Sequence, residues 1–135
     1  MKLTIHTHVD IKKIEEVALA LVEEQLKAYN NRDIEAFLKP FSDNIKRFDY
    51  PNQLLFDGKE KMKTIYTQLF DTNPDLHCKT IFRTVFKDIV IDKELVTGMK
   101  IKDTNAIPYY LAIYQIESNK ISEVRFMKYL SEHFE

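Results

Sequence analysis

In the stretch IKRFDYP, residues 45–51, a carboxylate stands among aromatic residues. The run reads as a short strand ending at Pro51, with Asp49 near its end between Phe48 and Tyr50. On a strand, Ile45, Arg47 and Asp49 share a face. Asp49 is then either a surface carboxylate, solvated or paired with Arg47, or a proton-handling group at the mouth of a pocket. In an apolar pocket, lost hydration would make it a better base. His77 follows NPDL and opens a long strand. Histidine can give or take a proton near neutral pH, and the alternative is a strand-end residue satisfying a turn carbonyl. Period-two alternation puts His77, Lys79, Ile81, Arg83 and Val85 on one face. Leu76, Cys78, Thr80, Phe82, Thr84 and Phe86 fall on the other. Tyr29, Tyr66, Tyr110 and Tyr114 could each offer a phenol to a ligand oxygen. Tyrosine at such spacing is otherwise core, with its hydroxyl at the rim. Phe56, Met62, Phe70, Phe126 and Met127 read as wall and core.

Other chemistries are excluded or weak. HTH at residues 6–8 places two histidines on one strand face, but a metal site needs three or four ligands. His133 stands apart in the tail, so no metal is expected. Cys78 is the single cysteine, lacks a nucleophile motif and reads as a small buried hydrophobe. Two glycines in 135 residues exclude the Gly-rich loops that cradle phosphates. The acid–base groups are the protein's own, so no cofactor is expected. The net charge of −1 gives no field for nucleic acid and no polybasic run for a membrane. The beginning, MKLTIHTHVDIKK, lacks the apolar core of a signal peptide, and no run approaches 18 apolar residues. With one cysteine, a cytoplasmic location is the expectation.

These groups need elements to hold them. Residues 11–30 carry apolar residues at helical spacing, with Asp10 as a candidate N-cap. DIEAFLKPF predicts a short second helix with Asp33 at its start and Pro40 at its end. SDN predicts a turn into the Asp49 strand, and LLFDG a second short strand. KEKMKTIYTQLFDTNP predicts a third helix with Met62, Ile65, Tyr66, Leu69 and Phe70 inside. Segments 76–87, 89–98, 107–117 and 120–130 are β-rich, with IDKE and ESNK as turns. Helices first and strands later argue for an α+β fold with a mostly antiparallel sheet. No linker or repeat marks a boundary, so residues 1–135 read as one domain, with 1–9 a candidate flexible segment. Tyr109, Leu111 and Ile113 lie on one strand face; Tyr110, Ala112, Tyr114 and Ile116 lie on the other. Both faces therefore need cover, helices on one and a second subunit on the other.

The runs AYNNRDIEAFLKPFSDN, FDYP and FDGKEKMKTIYTQLF, with the later NPDLHCKTIFRTVFKDIVIDKELVTG, resemble the nuclear transport factor 2-like superfamily in its SnoaL-like and ketosteroid-isomerase-like branch. The resemblance covers about residues 14 to 129. It implies a cone-shaped α+β fold, with N-terminal helices packed on a strongly curved sheet that encloses a pocket, and a homodimer through the outer sheet face. Asp49 falls where ketosteroid isomerases keep their general base, and Tyr66 where they keep a supporting tyrosine. Gln25 stands where their oxyanion tyrosine would be, and Ala112 roughly where their oxyanion acid would be. Those missing donors argue against true steroid isomerase activity. Related dehydratases combine His and Asp, which suggests His77 opposite Asp49.

Two readings stay open. One is a small-molecule enzyme, an isomerase, dehydratase or cyclase for a compact, apolar, oxygenated substrate. It would use Asp49 as base and His77 or Tyr66 as donor, with Tyr29, Gln25 and Tyr114 against the ligand. The other is a non-catalytic ligand-binding or protein-interaction homodimer. The fold alone does not separate them.

Overall fold

The computed structural model describes residues 8–102 and 104–132, with the backbone only for residues 8 and 9. His6, most of the HTH run and His133 lie outside the described residues. The elements are α1 (His8–Asn30), α2 (Ile34–Leu38), β1 (Phe41–Asp49), β2 (Gln53–Asp57), α3 (Lys59–Thr72), β3 (His77–Phe86), β4 (Ile89–Thr97), β5 (Ile107–Glu117) and β6 (Lys120–Ser131). One six-stranded sheet runs in the order β2-β1-β6-β5-β4-β3. Only the β1–β6 pairing is parallel. The architecture is α+β, as expected: three helices lie on one face of a curved, open sheet. No described helix is long and apolar enough to cross a membrane.

The helices form where periodicity and caps agree. Asp33 caps α2 by accepting from the Ala36 amide at 3.2 Å. Helix α1 starts earlier than expected, so Asp10 lies in its first turn and not at its cap. Ala18, Val22, Gln25 and Ala28 make its buried stripe. In α3, Met62, Tyr66 and Phe70 face inward, whereas Ile65 is exposed. Tyr29, Phe37, Tyr66 and Phe70 form an aromatic knot under the helices, with centroids 4.7–6.4 Å apart.

Helix α1 lies along the free edge of the sheet. The Asn30 amide group pairs with the backbone of Cys78 in both directions, at 2.9 and 2.8 Å. Arg83 donates to Glu23, and the Lys87 amide donates to Glu15 at 2.9 Å. At the helix end, Arg32 donates to the Leu76 carbonyl at 2.7 Å.

Three local expectations are corrected. IDKE, residues 91–94, is mid-strand in β4; the β3–β4 turn lies at Lys87–Asp88, with Lys87 at φ 58°. SDN, residues 42–44, is inside β1, where pairing to β6 skips from Phe41–Ile121 to Lys46–Glu123. The turn-prone residues there make a bulge. Strand β3 also carries a bulge, because Thr80 pairs with Glu94 but Phe82 pairs with Lys93. The extra residue reverses the alternation beyond it. Arg83 and Val85 therefore share the inner face with Cys78 and Thr80, while Phe82, Thr84 and Phe86 join His77 and Lys79 outside. ESNK turns as expected, with Ser118 and Asn119 both at positive φ.

Candidate functional site

Between the helices and the inner sheet face lies a cavity of about 80 Å³, measured as space open to the centre of a water molecule. One water occupies roughly 10–15 Å³ on that measure, so the cavity holds roughly five to eight water-sized groups. All four expected ligand contacts, Gln25, Tyr29, Tyr66 and Tyr114, line it. Phe56, Met62, Phe126 and Cys78 line it too. Met127 does not; the next residue along from Phe126, it is exposed.

The floor holds a group that the sequence reading passed over. Glu94, only 4% exposed, lines the cavity from the centre of β4. The Tyr114 hydroxyl donates to its Oε2 at 3.2 Å, and the Gln25 amide donates to the Tyr114 oxygen at 3.3 Å. Gln25 is anchored in turn on the Val22 carbonyl at 3.0 Å. A polar chain thus runs from α1 through β5 to β4. Burial, and then the neighbouring Asp92 carboxylate, push the Glu94 carboxyl up to about 8. Near neutral pH it is largely protonated and able to donate. Burial also pushes the Tyr114, Tyr29 and Cys78 groups up, which keeps them neutral.

Asp92, beside Glu94 on the same face, is fully buried. Arg83 forks onto both of its oxygens at 2.7 and 2.9 Å. The bulge in β3 makes this pairing possible, because without it Arg83 would point outward. Burial of the Asp92 charge is thereby compensated, and that charge acts on Glu94 as a nearby like charge.

Arg47, Tyr110 and Phe126 line another part of the cavity, each only partly buried. Its guanidinium covers the Phe126 ring at 4.5 Å, and Nη1 is 3.5 Å from the Tyr66 hydroxyl. Asp49 is one step further along the same face of β1, opposite Phe126 in the register. It is half-buried, does not line the cavity and makes no hydrogen bond or ion pair among the described residues. His77 is exposed, on the outer face next to inward-facing Cys78. The structure does not bring Asp49 and His77 together: three strands and the thickness of the sheet separate them. Among the described residues, no group of three or more His, Cys, Asp or Glu is arranged to hold a metal.

One signal for Glu94 was available. Val90, Asp92, Glu94 and Val96 alternate on one face of a strand whose other face is also apolar, so both acids had to be covered. The polar look of IDKE read instead as a turn.

No family model matches the chain, and no curated protein matches it in sequence. Its fold has close structural counterparts. A SnoaL-like protein of unknown function from Burkholderia thailandensis superposes with a TM-score of 0.68 at 15% identity, covering 85% of this chain and 96% of that one. An NTF2-like protein of unknown function from Cytophaga hutchinsonii gives 0.67 at 16% identity, covering 97% and 95%. An LEH-like epoxide hydrolase of M. tuberculosis gives 0.68 at 13% identity, covering 87% and 84%. The chain therefore has the cone-shaped fold of the NTF2-like and SnoaL-like proteins, as the sequence resemblance implied.

Proposed function

We propose that the protein binds a compact, apolar, oxygenated small molecule and acts on it by acid–base chemistry, with Glu94 as the proton donor. The observation that carries this reading is a carboxyl held protonated near neutral pH on the floor of an aromatic cavity. Such a group can hydrogen-bond a carbonyl oxygen and stabilise the enolate that forms when an adjacent C–H is lost, or protonate a departing hydroxyl. Tyr114 and Gln25 hold it in place. The pair of a phenol and a protonated acid matches in kind, though not in position, the isomerase pair that the sequence lacks. The size of the cavity favours a ligand well below a steroid nucleus. Asp49 is the candidate base from the sequence, and its claim rests on its place on β1 beside Arg47 and opposite Phe126, both of which line the cavity.

Deuterium exchange into cyclopentanone, followed by proton NMR in D2O, tests this. Wild type should exceed buffer alone, and its rate should fall above pH ~8 as Glu94 loses its proton. Glu94→Gln should lose most of that excess. If Asp49→Asn abolishes exchange while Glu94→Gln preserves it, the catalytic role belongs to Asp49 and not to Glu94. If wild type matches buffer for this and larger enolisable ketones, the cavity binds without catalysis.

A second feature favours the homodimer reading. Phe82, Phe86 and Met127 are 62%, 77% and 48% exposed on the outer face, beside partly exposed Ile91, Leu111 and Ile113. Exposed apolar surface of this breadth fits a protein interface. Sedimentation equilibrium should give twice the chain mass, and Phe82→Glu with Met127→Glu should give the monomer. A monomeric wild type at high micromolar concentration rejects the pairing.

A further inference from the structure

Arg47 is placed to recognise one particular kind of ligand. The chain has four arginines. Arg83 is spent on Asp92 and Glu23, Arg125 on Glu123 and the Pro51 carbonyl, and Arg32 on the carbonyls of Asn30 and Leu76. Arg47 alone has no anion or carbonyl among the described residues. Its hydroxyl contact to Tyr66 is long, and its Nε is fully buried without a partner. A buried N–H of a cation left unbonded is costly, so the site is incomplete without an acceptor. Nothing in the cavity wall supplies one: Glu94, the carboxyl that lines it, is engaged with Tyr114 on the floor.

We propose that the ligand is a small monocarboxylate with an apolar body, whose carboxylate docks on the Arg47 guanidinium. The inference rests on the cavity being a ligand site and names the class of molecule that it takes. A guanidinium fork matches a carboxylate in two parallel hydrogen bonds. One cation fits one negative charge. A phosphate dianion would be under-compensated here, since no lysine lines the cavity. The polarity is also ordered along the cavity. The charged group stays near solvent with Arg47, the body lies against Tyr110 and Phe126, and a ligand oxygen at the far end meets Glu94. An oxo- or hydroxy-acid satisfies both ends. Three strand spacings separate β1 from β4, roughly 14 Å on a flat sheet. The curl of the sheet and two long side chains shorten that span to the reach of a compact acid.

The test uses cyclopentanecarboxylate, its isosteric amide cyclopentanecarboxamide, and 3-oxocyclopentanecarboxylate. Binding is followed by calorimetry and by the Arg47 Nε–H signal in nitrogen-15 NMR. The acid should bind at least tenfold more tightly than the amide and move that signal. The 3-oxo acid should bind more tightly still. In Arg47→Gln the preference for acid over amide should fall toward one, with the amide affinity kept. Arg47→Lys, which retains the charge without the fork, should keep part of the preference and guards against a folding defect in the glutamine variant. If acid and amide bind equally to wild type, the carboxylate assignment fails while the cavity remains a ligand site. If none of the three binds at 10 mM, both the assignment and the ligand-site reading fail.

Discussion

Replacing Glu94 by Gln gives the most exacting test of the floor of the cavity. Glutamine copies the protonated acid in shape and can still accept from Tyr114, but it carries no titratable proton. The folded-state value of Glu94 is raised from 4.5 to about 8. Between those values the folded state binds a proton that the unfolded chain has released, so wild-type stability falls as pH rises. The favourable contribution is complete below about pH 4.5 and is lost as pH climbs through about 8. At 1.36 kcal/mol per unit, the difference between variant and wild type should grow by about 4 kcal/mol from pH 5 to pH 9. For a chain of this length that corresponds to about 14 °C in Tm. Urea denaturation of both proteins at pH 5, 7 and 9 measures it, and subtracting one from the other cancels every other titrating group. The variant should match wild type closely at pH 5 and exceed it clearly at pH 9. A difference that stays flat with pH would mean that Glu94 is not held protonated, and the proton-donor mechanism would go with it.

Removing the Tyr114 hydroxyl with Tyr114→Phe takes away the bond that lowers the Glu94 value, so the pH midpoint of that stability difference should move above 8; a downward move contradicts the hydrogen-bond direction. Arg83→Ala leaves the fully buried Asp92 uncompensated and should cost about 3–5 kcal/mol in urea denaturation, a loss that Asp92→Asn in the same chain should partly recover. Gly98→Ala should cost at least about 2 kcal/mol, because Gly98 has φ +74° and an added Cβ would stand 2.1 Å from the Asp75 carbonyl oxygen. Asp49→Asn should stay within about 0.5 kcal/mol of wild type by the same assay, since its carboxylate has no partner to lose among the described residues.

The fold was legible because its signals are local and redundant. The 3.6-residue apolar period marked α1 and α3, Asp33 announced α2, and Ser118–Asn119 announced the last hairpin. Four of the candidate site residues, Gln25, Tyr29, Tyr66 and Tyr114, converge on the cavity because inward-facing positions of the elements are fixed by that same periodicity. The bulge at Ile81 was not legible. It has no glycine to flag it, and it emerges only when β3 is fitted against β4. Missing it put Arg83 on the wrong face and hid its union with Asp92. Glu94 was lost for a related reason: alternating acids in a strand look like a loop until a partly buried cation, nine residues from Asp92, and a buried phenol, 20 residues from Glu94, are seen to meet them. The proposed pairing of Asp49 with His77 failed on topology, since the strands that carry them are separated by β6, β5 and β4.

The ties from α1 to β3 and to the turn that follows it matter beyond holding the helix in place. A sheet that does not close leaves two borders, and an unpaired border invites a strand from another molecule. Here β2, at one border, is only five residues long. At the other border, Asn30 occupies the outward-facing amide and carbonyl of Cys78 as a neighbouring strand would, with Glu23 engaging Arg83 further along and Glu15 the Lys87 amide in the turn beyond. The helix thus stands in for a seventh strand and denies the border to incoming chains. Cutting the Asn30 tie would leave the interior of the cone intact and turn a guarded border into a docking edge, so the damage would surface first as slow, concentration-dependent aggregation.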